Sequence, residues 1–291
     1  MRFRMMRSAG DSRSGRLPEA PAAVPVARVL REATELLGRA GCDTPRLDAE
    51  LLLGAALGVE RERLILDDAS LLDSDALARV QELIARRRRR EPVAYILGHK
   101  AFRHITLSVD DRVLIPRPET ELLVEVGLSL DAGARVVDVG TGSGAVALAL
   151  KHERADLDVW GTDLNGDALG LARENAARLG LGVRFVQADL LEGIRERFDA
   201  VLANLPYVPA GAQLQPEIAQ HEPASALFAG PDGLDVIRRV IATAAELPLV
   251  ALEVGAGQAA EVAAMLRRTG FLFIETVADL AGHERVVVGR R

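Results

Sequence analysis

Apolar residues recur at helical spacing in the first third of the chain. After Ala134 they gather into short runs that alternate with helical stretches. Val29, Leu30, Ala33, Leu36 and Leu37 follow the i, i+3/i+4 rule, and Gly41 stops that helix. Thr44 followed by Pro45 has the form of an N-cap with proline at the first helical position, opening a second helix through Leu47, Leu51 and Leu52. A third is expected from Asp73 or Ser74 through Leu77, Val80 and Ile84 into Arg86–Arg90. These amphipathic segments predict a small α-helical domain over residues 25–91, behind an Arg-rich, Pro/Ala-rich start (1–24) expected to be disordered.

Residues 92–115 change character. His104–Val109 and Val113–Ile115 are predicted as two short strands of a hairpin around Asp110 and Asp111, linking two domains. Beyond them the rhythm is strand–helix–strand. Strands are predicted at Arg135–Val139, Val159–Thr162, Val183–Gln187, Asp199–Leu202, Leu249–Glu253, Phe271–Thr276 and Arg285–Val288. Helices are predicted at Ala145–Lys151, Ala168–Leu179 and Gln258–Arg268. Such alternation implies an α/β domain, a mostly parallel sheet with helices on both faces, over residues 116–291.

Composition narrows the field. With 42 acidic against 36 basic residues, the 291-residue chain carries a net charge of −6, which disfavours bulk electrostatic binding of nucleic acid. Aromatics are 3% of residues, too few for a platform of stacked rings. The single cysteine, Cys42, excludes a disulfide framework and a Cys-cluster metal site and fits a reducing, cytoplasmic compartment. No run of 18 uncharged apolar residues occurs, so no membrane span is expected. The five arginines Arg86–Arg90 are read as a solvated last helical turn complementing the helix dipole, with RNA contact as the alternative.

Chemistry concentrates at predicted strand ends. Gly140-Thr141-Gly142-Ser143-Gly144 follows a strand and opens a helix, and Asp138 stands two positions before the first glycine. Dinucleotide loops use the wider G-x-G-x-x-G spacing to seat a pyrophosphate. The tighter loop suits a ligand with an ammonium and a carboxylate, the methionine part of S-adenosylmethionine; a purely structural glycine turn is the alternative. Asp163 closes the second strand, where a carboxylate can accept both ribose hydroxyls. Asp189, followed by Leu190, closes the third and could accept from an adenine amine or serve as a strand-end cap.

The fourth strand ends in Asn204-Leu205-Pro206-Tyr207. The Asn204 side-chain oxygen and the Leu205 carbonyl could accept the two hydrogens of a planar NH2 group while Tyr207 stacks on its π face. That would hold a weakly nucleophilic nitrogen in line with a sulfonium methyl for direct displacement. No general base is required, because the nitrogen's proton becomes acidic on alkylation. A plain strand-ending turn is the alternative.

Together the glycine loop and Asn204–Tyr207 resemble the class I methyltransferases. Further segments resemble a narrower group: Glu91–Gly98, Ile115-Pro116-Arg117-Pro118-Glu119-Thr120-Glu121, Pro216–Pro223, Gly230–Leu234, Glu253–Gln258 and Asp279–Arg285. They are similar to the release factor glutamine methyltransferase (PrmC/HemK) family over roughly residues 26–290.

The resemblance implies a Rossmann-like, seven-stranded class I methyltransferase domain behind a helical domain. It implies methyl transfer from S-adenosylmethionine, without a metal, to the amide nitrogen (N5) of the glutamine in the Gly-Gly-Gln motif of peptide chain release factors. That activity belongs to translation termination, and the enzyme is expected as a cytoplasmic monomer with no nucleic-acid substrate. Gly140–Gly144 would hold the methionine moiety, Asp163 the ribose, and Asp189 and Leu190 the adenine, with Asn204 also bordering the cofactor. Asn204–Tyr207 would clamp the glutamine, with Asn204 and Tyr207 as catalytic residues. Pro116, Arg117, Glu119 and Thr120 would cover the site, and the helical domain would dock the release factor. Leu205 departs from the usual Asn-Pro-Pro-Tyr at a small loss of rigidity. Because Asn-Leu-Pro-Tyr is also similar to the loop of rRNA adenine dimethyltransferases, an N6-adenine (rRNA or DNA) methyltransferase is the alternative.

Overall fold

The structure, a computed structural model, describes residues 24–66 and 70–291. The expectation for residues 1–24 falls, but for Val24, outside the described residues. The chain divides into two compact units, up to Arg88 and from Arg89 onward.

In the first unit a two-residue strand β1 (Val24–Pro25) leads into α1 (Val26–Arg39), followed by α2 (Pro45–Leu57), α3 (Arg61–Leu66), β2 (Leu71–Leu72) and α4 (Ser74–Arg88). α1 buries Val26, Val29, Leu30, Ala33 and Leu37 along one stripe, as its periodicity predicts. α2 starts at Pro45 and ends on Gly58 in the left-handed conformation. The Thr44 hydroxyl makes no cap; it donates to Asp48 instead. Asp73 caps α4 by accepting from the Ala76 amide at 2.7 Å.

The arginine run is not uniformly solvated, which corrects the reading of a solvated last turn. Arg87 is buried and donates to the buried Asp48 at 2.7 Å. Arg90, already in the second unit, pairs with Glu217 and holds a positive φ. Arg88 and Arg89 are exposed. A helix terminus has an inner as well as an outer face, and Arg87 lies on the inner one, where Asp48 meets its guanidinium.

The second unit opens with α5 (Val93–Leu97) and a hairpin of β3 (His99–Phe102) and β4 (Ile105–Ser108). A 3₁₀ turn (Pro118–Thr120) and α6 (Glu121–Leu128) come next. The hairpin differs from the prediction. Its turn is Arg103-His104, not Asp110-Asp111, and Val113–Ile115 is not a strand. Arg103 takes φ +48° there, while its side chain bonds Glu153 and Glu125 and its amide bonds Glu121. Asp110 is occupied by the Arg112 guanidinium. The hairpin residues Phe102, Ile105 and Leu107 join the same buried cluster as Leu148 and Leu150, so the hairpin is part of this unit's core.

The main sheet is built from β5 (Arg135–Val139), α7 (Ala145–Glu153), β6 (Asp158–Asp163), α8 (Gly166–Leu179), β7 (Arg184–Gln187), β8 (Ala200–Ala203), α9 (Pro216–His221), α10 (Asp235–Thr243), β9 (Leu249–Glu253), α11 (Ala259–Arg268), β10 (Phe273–Ala278) and β11 (Glu284–Arg290). Its seven strands run in the order β10-β11-β9-β8-β5-β6-β7. The pairs from β9 to β7 are parallel, and β11 is antiparallel to both neighbours. This is the predicted class I methyltransferase architecture. Alternation divides the core: Val136, Leu202 and Ala251 face one layer, and Val137, Val201 and Val250 the other. With both faces covered, ligands are left the carboxyl edge, where the order reverses between β5 and β8.

Candidate functional site

At that edge lies a cleft of about 320 Å³. The loop between β5 and α7 forms its floor. Gly140 and Gly144 both have positive φ, and a Cβ on either would press on Leu205 or Leu148 respectively, so no other residue suits these positions. The amides of Gly140 and Thr141 both donate to the Thr162 carbonyl at 2.8 Å, which ties the loop to β6. Beneath it, Asp138 accepts from the Thr141 hydroxyl at 2.6 Å and the Ala147 amide at 3.2 Å. Burial pushes the Asp138 carboxyl up to about 7, against the pull of those two bonds. Asp138 therefore works chiefly as a brace for the loop.

Asp163 stands at the end of β6 with one oxygen accepting from the Gly142 amide and the other from the Asn165 amide, each at 2.9 Å. A carboxylate oxygen has two acceptor positions, so each keeps one for a ligand hydroxyl. Burial holds this carboxyl above its ordinary value. Asp189 lines the cleft, but its Oδ2 accepts from Arg239 of α10 at 2.8 Å, so an amine would share it with a guanidinium. Leu190 is buried at φ +57°, a left-handed turn that sets its side chain against the cleft.

Asn204 projects from the end of β8 into the same cleft. Its Nδ2 donates to the Thr120 hydroxyl at 2.9 Å, which leaves Oδ1 as the group available to a substrate amide. Leu205 and Pro206 also line the cleft, and the Leu205 side chain is buried over Gly140. Arg117 does not line it. Its guanidinium pairs with Glu222, which also accepts from the Ile115 amide. Glu119 and Gly144 lie outside the lining too. Tyr207 stands behind the wall, its ring against Gly255, its carbonyl taking a bond from Gln258 and its hydroxyl 3.5 Å from Glu253. Burial pushes the Tyr207 phenol up to about 12, and the Glu253 charge adds to this.

The structure thus gathers Gly140, Thr141, Gly142, Ser143, Asp163, Asp189, Leu190, Asn204, Leu205, Pro206 and Thr120 on one cavity. Sequence reasoning missed Arg112 and Arg239, which line it, and Glu253, which lies behind it. Glu253 had a signal: like Asn204, it closes a run of otherwise apolar strand residues. The glycine floor, the Asp163 carboxylate at the end of β6 and the apolar walls of Leu164, Leu190 and Val236 have the chemistry to receive a nucleoside bearing an amino-acid tail. No helix among the described residues is long and apolar enough to cross a membrane.

The PrmC N-terminal domain family matches residues 28–98, and the Methyltransferase small domain family matches residues 118–227. The chain is 42% identical to the release factor glutamine methyltransferase of Deinococcus radiodurans, over 90% of this chain and 97% of the relative. It is 39% identical to that of Caulobacter vibrioides, over 88% and 93% respectively. Among solved structures, a methyltransferase from Pyrococcus furiosus superposes with a TM-score of 0.50 at 16% identity, over 63% of this chain and 87% of that one, a likeness of fold alone.

Proposed function

The chain belongs to the release factor glutamine methyltransferase family, and from that premise we propose that it methylates N5 of the glutamine in the Gly-Gly-Gln motif of peptide chain release factors. The observation that carries this reading is Asn204: fixed through Nδ2 to Thr120, it presents an oxygen to the cleft that the glycine loop floors. S-adenosylmethionine, when bound, supplies an electrophilic methyl group on a sulfonium. Gly140–Ser143 would hold its methionine part, with Gly144 shaping the loop from behind, Asp163 the ribose, and Leu190 with Asp189 the adenine.

The work left to the chain is positional. Asn204 Oδ1 and the Leu205 carbonyl accept the two amide N–H bonds, which points the nitrogen lone pair at the methyl carbon. As that lone pair forms the bond to carbon the nitrogen gains positive charge and its N–H groups grow more acidic, so both acceptors bind more tightly in the transition state than before it. The surplus proton passes to solvent once nitrogen is alkylated. Tyr207, with Arg117 and Glu119, would shape the substrate side from outside the cavity lining, Tyr207 by backing the wall that Asn204, Leu205 and Pro206 form.

Residues 25–91 serve as the docking domain, with Arg88 and Arg89 among its exposed cations, and residues 116–291 carry out transfer. The enzyme works as a cytoplasmic monomer on a protein rather than a nucleic acid. Peptide mass mapping of a full-length release factor after incubation with labelled cofactor tests this. Label is expected on that glutamine; label on rRNA or DNA and never on the glutamine would refute it.

A further inference from the structure

Glu253 is a carboxylate that the reaction described above leaves unused. It ends β9 at 2% exposure, and its Oε2 is buried without a hydrogen-bond partner among the described residues. Its Oε1 lies 3.5 Å from the Tyr207 hydroxyl. Thr120 is its other neighbour, with a hydroxyl that favours the ionised carboxylate. That hydroxyl already accepts from Asn204 Nδ2. It carries one proton, which must point away from Asn204, and Glu253, whose ionised form this hydroxyl favours and whose buried Oε2 lacks a partner, is assigned as its acceptor.

We propose that Glu253 is the positioning residue of the substrate clamp, orienting Asn204 through Thr120 and holding Tyr207 directly. The proposal rests on the assignment of Asn204 as the amide acceptor. While Glu253 accepts, Thr120 can only accept from Asn204, and Asn204 Oδ1 must face the substrate. A protonated Glu253 becomes a donor to Thr120. The Thr120 proton is then free to turn to Asn204 Oδ1, and the clamp loses its direction.

Charged and titratable groups reach Glu253 from three elements: Glu119 of the 3₁₀ turn, Tyr207 of the loop after β8, and Arg285 of β11. Burial dominates and pushes Glu253 up to about 7; Glu119 adds to it, and Thr120, Arg285 and Tyr207 oppose it. Turnover should therefore fall as pH drops through about 7.

The test is the turnover of full-length release factor between about pH 5.5 and about pH 9, a range that brackets this titration. The proteins are wild type, E253Q, T120V, T120S and N204A. E253Q is expected to lose the acid limb and turn over about 10-fold more slowly, in kcat rather than KM, with cofactor affinity by calorimetry unchanged. T120V, which cuts the link, should behave alike, and T120S should restore turnover together with the acid limb. An acid limb that persists in both E253Q and T120V, or T120S as slow as T120V, would overturn the proposal. If E253Q does not fold, the T120V and T120S pair decides alone. N204A at wild-type turnover would overturn the clamp itself, whereas a slow N204A beside an unimpaired E253Q and T120V would overturn only the role of Glu253.

Discussion

At the glycine-loop end of the cleft the shape is held by main-chain amides on a carbonyl and on two carboxylates of the neighbouring strands, whereas at the Asn204 end it is held by side chains from distant parts of the chain. Two loop amides converge on the Thr162 carbonyl and a third on Asp163. Those partners are close in sequence and lie on adjacent parallel strands. The clamp instead depends on Asn204 meeting Thr120, 84 residues earlier, and on Tyr207 meeting Glu253, 46 residues later. A backbone-built site tolerates side-chain change wherever glycine or a single carboxylate is not required. A side-chain relay fails at any member, but its orientation can be set by one proton. The cofactor end thus suits a ligand shared by many enzymes, and the clamp end suits selection of one amide.

The comparison breaks most readily at Asn204. Asn204→Ala should lower turnover by about 10²-fold or more while cofactor affinity stays within a few-fold, because only the acceptor aimed at the reacting nitrogen is lost. Single-turnover methylation beside calorimetric titration with S-adenosylmethionine measures both. Equal losses in binding and turnover would mean that the two ends are one unit.

The converse substitution is Asp163→Ala. It removes the ligand acceptor and frees the Gly142 amide, so cofactor affinity should weaken by about 10- to 100-fold, the value of one or two charge-assisted hydrogen bonds. At saturating cofactor, turnover should recover to near wild type. A loss of turnover that saturation does not relieve would show that the loop also orients the substrate.

A smaller effect is expected from Arg117→Ala. The pair with Glu222 steadies the segment that carries Thr120, and Glu222 is buried while Arg117 is partly exposed. Discounted for that exposure, the loss should be about 1–2 kcal/mol in denaturant unfolding, with turnover down several-fold. Unchanged stability would place Arg117 among surface ion pairs.

The contrast also explains what the sequence disclosed. Arg135–Val139 and Leu249–Glu253 were legible to the residue because a strand buried on both faces is dominated by apolar residues, interrupted after the opening Arg135 only by an acid at or next to each carboxyl end. The glycine loop and Asp163 were legible because backbone-built sites leave local signatures. The hairpin turn was misplaced because apolar alternation does not say which neighbour a strand takes, and the positive φ fell on an arginine rather than a glycine. Thr120 was expected only as a cover residue. Its bond to Asn204 follows from the packing of the 3₁₀ turn and α6 against β8 and β9, which no local pattern records. The inward arginines were hidden for a related reason, since Arg87 and Arg88 look alike until the helix acquires an inside.

The smallest effect on methyl transfer is expected under the glycine loop, at Asp138→Asn. The amide oxygen can still accept from Thr141 and Ala147, so cofactor affinity and turnover should each change by less than about threefold, within what one retained neutral hydrogen bond allows. Stability should show the substitution more clearly. Burial raises the folded-state Asp138 from 3.8 to about 7, so between those values the native state holds a proton that the unfolded chain gives up. Wild-type stability therefore declines, on account of this group, as pH rises through that window. D138N has no proton to lose, and its stability relative to wild type should grow from about pH 4 to about pH 7 and level off above. Urea unfolding at a series of pH values reads the difference. Parallel curves for the two proteins would mean that Asp138 is ionised throughout, in which case its charge rather than its hydrogen bonds supports the loop, and the backbone end of the cleft would depend on electrostatics as the clamp does.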